Sequence, residues 1–454
     1  MQYERLEKKD IFKKLFWYAV PLMIGNAVML SYDLVDSVVI SKFVGEVGLA
    51  SVSNAGQISS LVLLFFYGLC MGASVIISEY YGADNLKKMR EEVTTTLVAG
   101  LVFTISVSAI LFISARRLFI IMHITDEEVL EGAVSYLRIA CIGFPFVFVY
   151  NVFANALKAV GNSKVPTFFL GLSAFINLVL DLLFVAVFKW GVSGACIATV
   201  IAQVTTCIIN YIYVQIKYEG LRFKIDEYVV NKTLLIRTFR DGMITALQQA
   251  VPPLGRTLII AKVNTLGVAA MAANGILTKI DNFAILPAQN LGLGVMTYIA
   301  QCRGAKQKSL INDIYKKGVV LEMGFAAIVF LVLFFFKYDI MVALSPAGST
   351  EVIAMGNSYL QIMSFGYFLV AYVNTLQYLF RGMGNMSITL YSSMINISIK
   401  VFVVYAFINI LKLDSVAWGT IAGWDMMIVY EYSMYKYYMR HKWKMVDEVE
   451  DTMV

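Results

Sequence analysis

The chain has 454 residues, is 59% apolar and only 15% charged, and carries a formal net charge of +6. Soluble proteins are about 25% charged, so this composition excludes an ordinary soluble domain and points to an integral membrane protein. Five cysteines without a CxxC pair, and two histidines placed in a loop and in the C-terminal tail, give no disulfide framework and no zinc site.

Apolar stretches recur along the chain near 15–20, 54, 93, 133, 166, 191, 242, 270, 316, 355, 387 and 416. Each is roughly 20 residues or longer, enough to cross ~30 Å of hydrocarbon as a helix and too continuous for barrel strands. Twelve transmembrane helices are therefore predicted, with the first retained as helix 1 rather than removed as a signal peptide. An even number puts both termini on one side. The loops and termini of that side hold 26 Lys and Arg and the opposite side seven. The positive-inside rule then predicts cytoplasmic termini and a multi-pass protein of the plasma, or bacterial inner, membrane. The positive balance is explained by this bias, and no nucleic-acid partner is implied.

Helix 1 holds the segment SYDLVDSVVISKFVG, residues 31–45, with Asp33 and Asp36 inside an apolar run. A carboxylate at mid-membrane costs roughly 2.5–3.5 kcal/mol and persists where it is paired, hydrated or functional. At ~1.5 Å per residue, Asp36 lies some 12 Å below the outer face. Helix 5 carries INLVLDLLF, which sets Asn177 and Asp181 four apart on one helix face. Asp181 falls at about 10 Å depth, and Thr199 on helix 6 at about 12 Å. Two carboxylates, an amide oxygen and a hydroxyl suit a hard cation such as Na⁺; the carboxylates could equally share a proton. Asp33 and Asn155 are auxiliary candidates.

The second half repeats the first. YLRIACIGFPFVFVYNVFANALKAVGN, from 136, aligns with YLQIMSFGYFLVAYVNTLQYLFRGMGN, from 359, through Tyr136/Tyr359, Gly143/Gly366, Asn151/Asn374, Gly161/Gly384 and Asn162/Asn385. GASVIISEYYGA, from 72, aligns with GVMTYIAQCRGA, from 294, through Gly72/Gly294, Ile77/Ile299, Gly82/Gly304 and Ala83/Ala305. The fold class is thus all-α, with two six-helix lobes of like orientation related by pseudo-two-fold symmetry. The N-lobe spans 1–216, a basic cytoplasmic linker 217–240 and the C-lobe 241–454. Parallel repeats are a transporter architecture, with substrate near the midplane.

The two halves differ in their chemistry. By the repeat offsets, Asp36 aligns with Arg256 and Asn177 with Lys400, and Lys279 and Asp281 on helix 8 reach a similar depth. Three buried cations thus face one acid. Either Asp281 pairs with one of them and the others snorkel, or unpaired positive charge serves a substrate with an acidic group.

In order and spacing, Pro21, DLVDSVVISKFVG, GASVIISEYYGA, NALKAVGNSKVP and NLVLD resemble the multidrug and toxic compound extrusion (MATE) family over about residues 12–440, most like its DinF-like branch. The resemblance implies a V-shaped pair of lobes around a shared cavity, bending of helix 1 at Pro21, and binding of H⁺ or Na⁺ at the acid in the position of Asp36. Asn177, Asp181 and Thr199 match the remaining members of that family's N-lobe cation site. It implies a monomer that exports a small organic substrate by antiport and is neither an enzyme nor dependent on a cofactor. The alternative is a flippase or exporter of an anionic lipid-linked or metabolite substrate that uses the basic C-lobe residues. No GxxxxGK[ST] loop and no GxGD motif occur, which argues against an ATPase and an intramembrane aspartyl protease.

Overall fold

The computed structural model describes residues 6–222, 231–346 and 349–439, apart from the side chains of 32–38. Twelve α-helices order these residues: α1 Ile11–Phe43, α2 Gly45–Gly82, α3 Leu86–Ile121, α4 Glu127–Ala159, α5 Lys164–Asp181, α6 Gly191–Lys217, α7 Lys232–Val263, α8 Val268–Gly304, α9 Lys308–Leu344, α10 Thr350–Gly382, α11 Met386–Leu411 and α12 Asp414–Tyr437. Many are longer than a bilayer requires. At 38 residues, α2 is roughly 57 Å long, so it must tilt or project beyond the hydrocarbon.

Among the described residues, nine helices are long and apolar enough to cross a membrane. The other three, α7, α10 and α12, carry polar residues such as Arg237, Gln248 and Arg256 on α7, Asn374, Gln377 and Arg381 on α10, and Asp425 and Glu431 on α12. Each of their polar faces needs neighbouring helices, since lipid offers backbone and side chains no hydrogen-bond partners.

The repeat is visible in the turns. After α4, Gly161 has φ +89° and donates to Lys158 O, while Asn162 N donates to Leu157 O. After α10, Gly384 has φ +78° and donates to Arg381 O, while Asn385 N donates to Phe380 O. Both are left-handed helix terminations, which glycine adopts without a β-carbon clash. The α2–α3 and α8–α9 turns match in the same way, with Asp84 at φ +55° and Lys306 at φ +56°. Equivalent sequence thus folds into equivalent local structure twice.

The chain forms two compact units. The first comprises Met1–Leu6, Trp17–Leu247 and Ala300–Lys308; the second comprises Glu7–Phe16, Gln248–Ile299 and Ser309–Val454. The first unit takes in the N-terminal part of α7, which packs on α2 by small residues: a β-carbon on Gly72 would stand 2.7 Å from Gly242 N. α7 passes to the second unit just before Pro252 and Pro253, where two missing N–H donors weaken the helical ladder.

In the first unit, the Phe66 ring meets Phe103, Phe144 and Phe148 edge-to-face at centroid distances of 6.4, 6.1 and 5.9 Å. In the second, Leu360, Met363 and Tyr367 of α10 are buried within one core. All five cysteines are buried and none forms a disulfide.

Candidate cation and substrate sites

In the first unit, α5 ends on Asp181, which is fully buried. One turn back, Asn177 is also buried, and its Nδ2 donates to Asp181 Oδ2 at 2.8 Å. The i, i+4 spacing on α5 is what brings amide and carboxylate together. The helix then continues as a π-helical segment, Leu182–Val187. Such wide turns displace side chains from the α register and concentrate at functional sites.

Thr199 is half-buried on α6 and donates to Ala195 O at 3.1 Å. No hydrogen bond joins it to the Asn177–Asp181 pair among the described residues. Asn155 on α4 donates to Asn151 O at 2.9 Å. Asp33 and Asp36 fall among residues 32–38, outside the described side chains. α1 runs as one helix from Ile11 to Phe43 through Pro21. No group of three His, Cys, Asp or Glu side chains is placed to hold a metal ion among the described residues.

The second unit contains a cavity of about 310 Å³, within the size range of small-ligand sites. Arg256, Asp281, Arg381 and Lys400 are its charged lining residues. Thus α7, α8 and α11 bring together three of the residues expected from the sequence. Lys279 does not line the cavity and is exposed. The expectation of three buried cations is corrected accordingly: Arg256 is exposed and Lys400 half-buried.

Asp281 does not pair with any of these cations. Tyr359 Oη donates to its Oδ2 at 2.8 Å, and Tyr367 Oη donates to its Oδ1 at 2.5 Å. No ion pair within 4.0 Å joins Asp281 to Arg256, Lys279 or Lys400 among the described residues. Two hydroxyls two turns apart on α10 satisfy both carboxylate oxygens, which leaves Arg256 and Lys400 without a counter-charge at contact distance among the described residues. Among the described residues, Arg256 reaches only the Asn282 amide oxygen, at 3.5 Å. The Arg381 guanidinium lies over the Tyr378 ring, 4.9 Å from its centroid.

Further buried acids escaped the sequence reading. Glu322 on α9 is buried and accepts from Asn374 Nδ2 at 3.3 Å. Glu92 on α3 is buried and accepts from Thr238 Oγ1 at 2.5 Å. Glu431 on α12 is also buried. For Glu322 a signal was present, because it stands alone in the apolar run VVLEMGFAA.

The sequence model of the MatE family matches residues 21–183 and 245–406, once in each repeat. Over 452 residues the chain is 25% identical to a probable multidrug resistance protein, YoeA, of Bacillus subtilis, covering 97% of this chain and 96% of the relative. It is 24% identical over 327 residues to an FAD transporter of Shewanella oneidensis, covering 70% and 71%. Its fold superposes on a MOP-superfamily transporter of Pyrococcus furiosus with a TM-score of 0.86 at 18% identity, covering 95% and 98%.

Proposed function

Because the chain belongs to the MatE family of membrane transporters, we propose that it is a secondary active exporter of small organic compounds, driven by antiport of H⁺ or Na⁺. The observation that carries this reading is the buried Asn177–Asp181 pair at 2.8 Å, set at the junction with the π-helical segment. With Asp36 and Thr199 it forms the proposed cation site of the N-lobe. Both termini are cytoplasmic in this reading, the protein works as a monomer in the inner membrane, and its two lobes alternate in access.

In the outward-open state, cations from outside, one for each carboxylate, neutralise Asp36 and Asp181. Desolvating a neutral pair costs far less than desolvating two charges, so loading permits the surrounding helices to repack. Substrate leaves as its site is weakened. The driving force suffices: about 1.4 kcal/mol per pH unit and about 2.3 kcal/mol per charge per 100 mV.

The test is efflux from proteoliposomes under imposed Na⁺ or pH gradients, comparing the wild type with Asp36→Asn and Asp181→Asn. Gradient-driven efflux lost in both variants supports the antiporter and names the ion. Undiminished efflux in both variants removes the N-lobe site.

Arg256 and Lys400 of the second unit, with no ion-pair partner within 4.0 Å among the described residues, favour a second reading, in which the substrate carries an acidic group. The name of the Shewanella relative as an FAD transporter is consistent with it. A lipid-linked anion is the flippase version of the same reading.

A further inference from the structure

The cavity of the second unit is lined by seven amide side chains: those of Gln248, Gln249, Asn274, Gln289, Asn374, Gln377 and Asn396. Four helices contribute them, and a general solvent for greasy cations would not need them. Some are locked. Gln248 Oε1 accepts from Thr389 Oγ1 at 2.9 Å, and its Nε2 donates to Ser393 Oγ at 3.2 Å. Asn374 donates to Ala288 O at 2.6 Å. Others are open, because Gln249, Asn274 and Gln289 have no protein hydrogen-bond partner among the described residues. Trp424 and Tyr378 add flat aromatic surface to the same wall.

An amide offers a donor and an acceptor side by side. That pairing matches the adjacent N–H and C=O groups on the edge of a heteroaromatic ring, as glutamine and asparagine match base edges. Aromatic rings supply the stacking face. Arg256 and Lys400, which have no carboxylate within 4.0 Å among the described residues, supply charge for a phosphate. Resting on the acidic-substrate reading above and narrowing it, we propose that this cavity binds a phosphorylated heteroaromatic compound, with the open amides reading the ring edge and Arg256 and Lys400 holding the phosphate.

The experiment is equilibrium binding to the detergent-solubilised full chain, without any gradient. The probes are riboflavin 5′-phosphate, riboflavin, adenosine 5′-monophosphate, inorganic phosphate, a short-chain phosphatidic acid and tetraphenylphosphonium. The two phosphorylated heteroaromatics are expected to bind at least tenfold tighter than riboflavin, phosphate or the lipid. Arg256→Gln with Lys400→Gln is expected to abolish the preference for riboflavin 5′-phosphate over riboflavin. Gln249→Leu with Gln289→Leu is expected to weaken both flavins alike, at least fivefold. These positions are exposed, so folding is not at stake.

Equal affinity for riboflavin and its phosphate, or tighter binding of tetraphenylphosphonium, overturns the proposal. Tighter binding of phosphatidic acid than of both heteroaromatics assigns the cations to a lipid head group and also overturns it. Failure here with Asp36-dependent efflux intact leaves the exporter standing. Success here with no gradient-driven efflux removes antiport and keeps the ligand class.

Discussion

Gly82 and Gly304 occupy the same place in the two repeats, and each lies against the backbone of the other's helix. A β-carbon on Gly82 would stand inside van der Waals contact of Gln301 O, and one on Gly304 inside contact of Glu79 O. Glu79 and Gln301 are themselves repeat equivalents, so α2 and α8 cross by a reciprocal contact. The neighbours are backbone carbonyls and cannot rotate away. Gly82→Ala and Gly304→Ala are each expected to cost about 1–3 kcal/mol by overpacking, and by similar amounts. Thermal unfolding of the solubilised variants measures this, and an unchanged melting temperature for either would contradict the crossing.

The same crossing carries charge. Glu79 accepts from Arg237 Nη2 at 2.7 Å and also pairs with Arg303. All three are partly buried. Glu79→Ala leaves two guanidinium groups facing each other and is expected to destabilise by about 2 kcal/mol. Arg237→Ala should cost less, because Arg303 still neutralises the carboxylate. A double-mutant cycle read by thermal unfolding checks the order.

Asp281 makes a second test. Tyr359→Phe and Tyr367→Phe each strip one donor from a carboxylate oxygen and are expected to cost about 1–3 kcal/mol. Adding Asp281→Leu to the double phenylalanine variant should recover part of the loss, since the unsatisfied carboxylate is gone. If that triple variant melts lower than the double, the tyrosines are not there for Asp281.

The left-handed turns should respond equally in the two halves. Gly161→Ala and Gly384→Ala both force a β-carbon into positive φ and are each expected to cost about 1–2 kcal/mol. A large effect at one and none at the other, by unfolding in denaturant, would break the equivalence.

Much of the architecture was legible. Mutual alignment of YLRIACIGF with YLQIMSFGY and of GASVIISEYYGA with GVMTYIAQCRGA revealed the repeat, because helices packed closely at equivalent points need the same glycine. Asn177 and Asp181 were legible as a pair because four residues of helix set them on one face, a local relation. The partner of Asp281 was not legible. Lys279 is its near neighbour in the chain and drew the eye, while its true donors lie 78 and 86 residues away.

From the sequence alone came twelve helices, their duplication, the asymmetry of charge between their ends, and the identity of the polar residues within them. Hydrophobicity and helical spacing suffice for these, because each depends on one helix and its solvent. Tertiary structure alone decided that Asp281 is satisfied by tyrosines, that Arg256 and Lys400 line one cavity with Asp281 without an ion pair to it, and that glycines at 82 and 304 let two helices touch. A helix's periodicity states which face it buries but not which neighbour covers that face, and the chemistry of this protein's cavity depends on the neighbour.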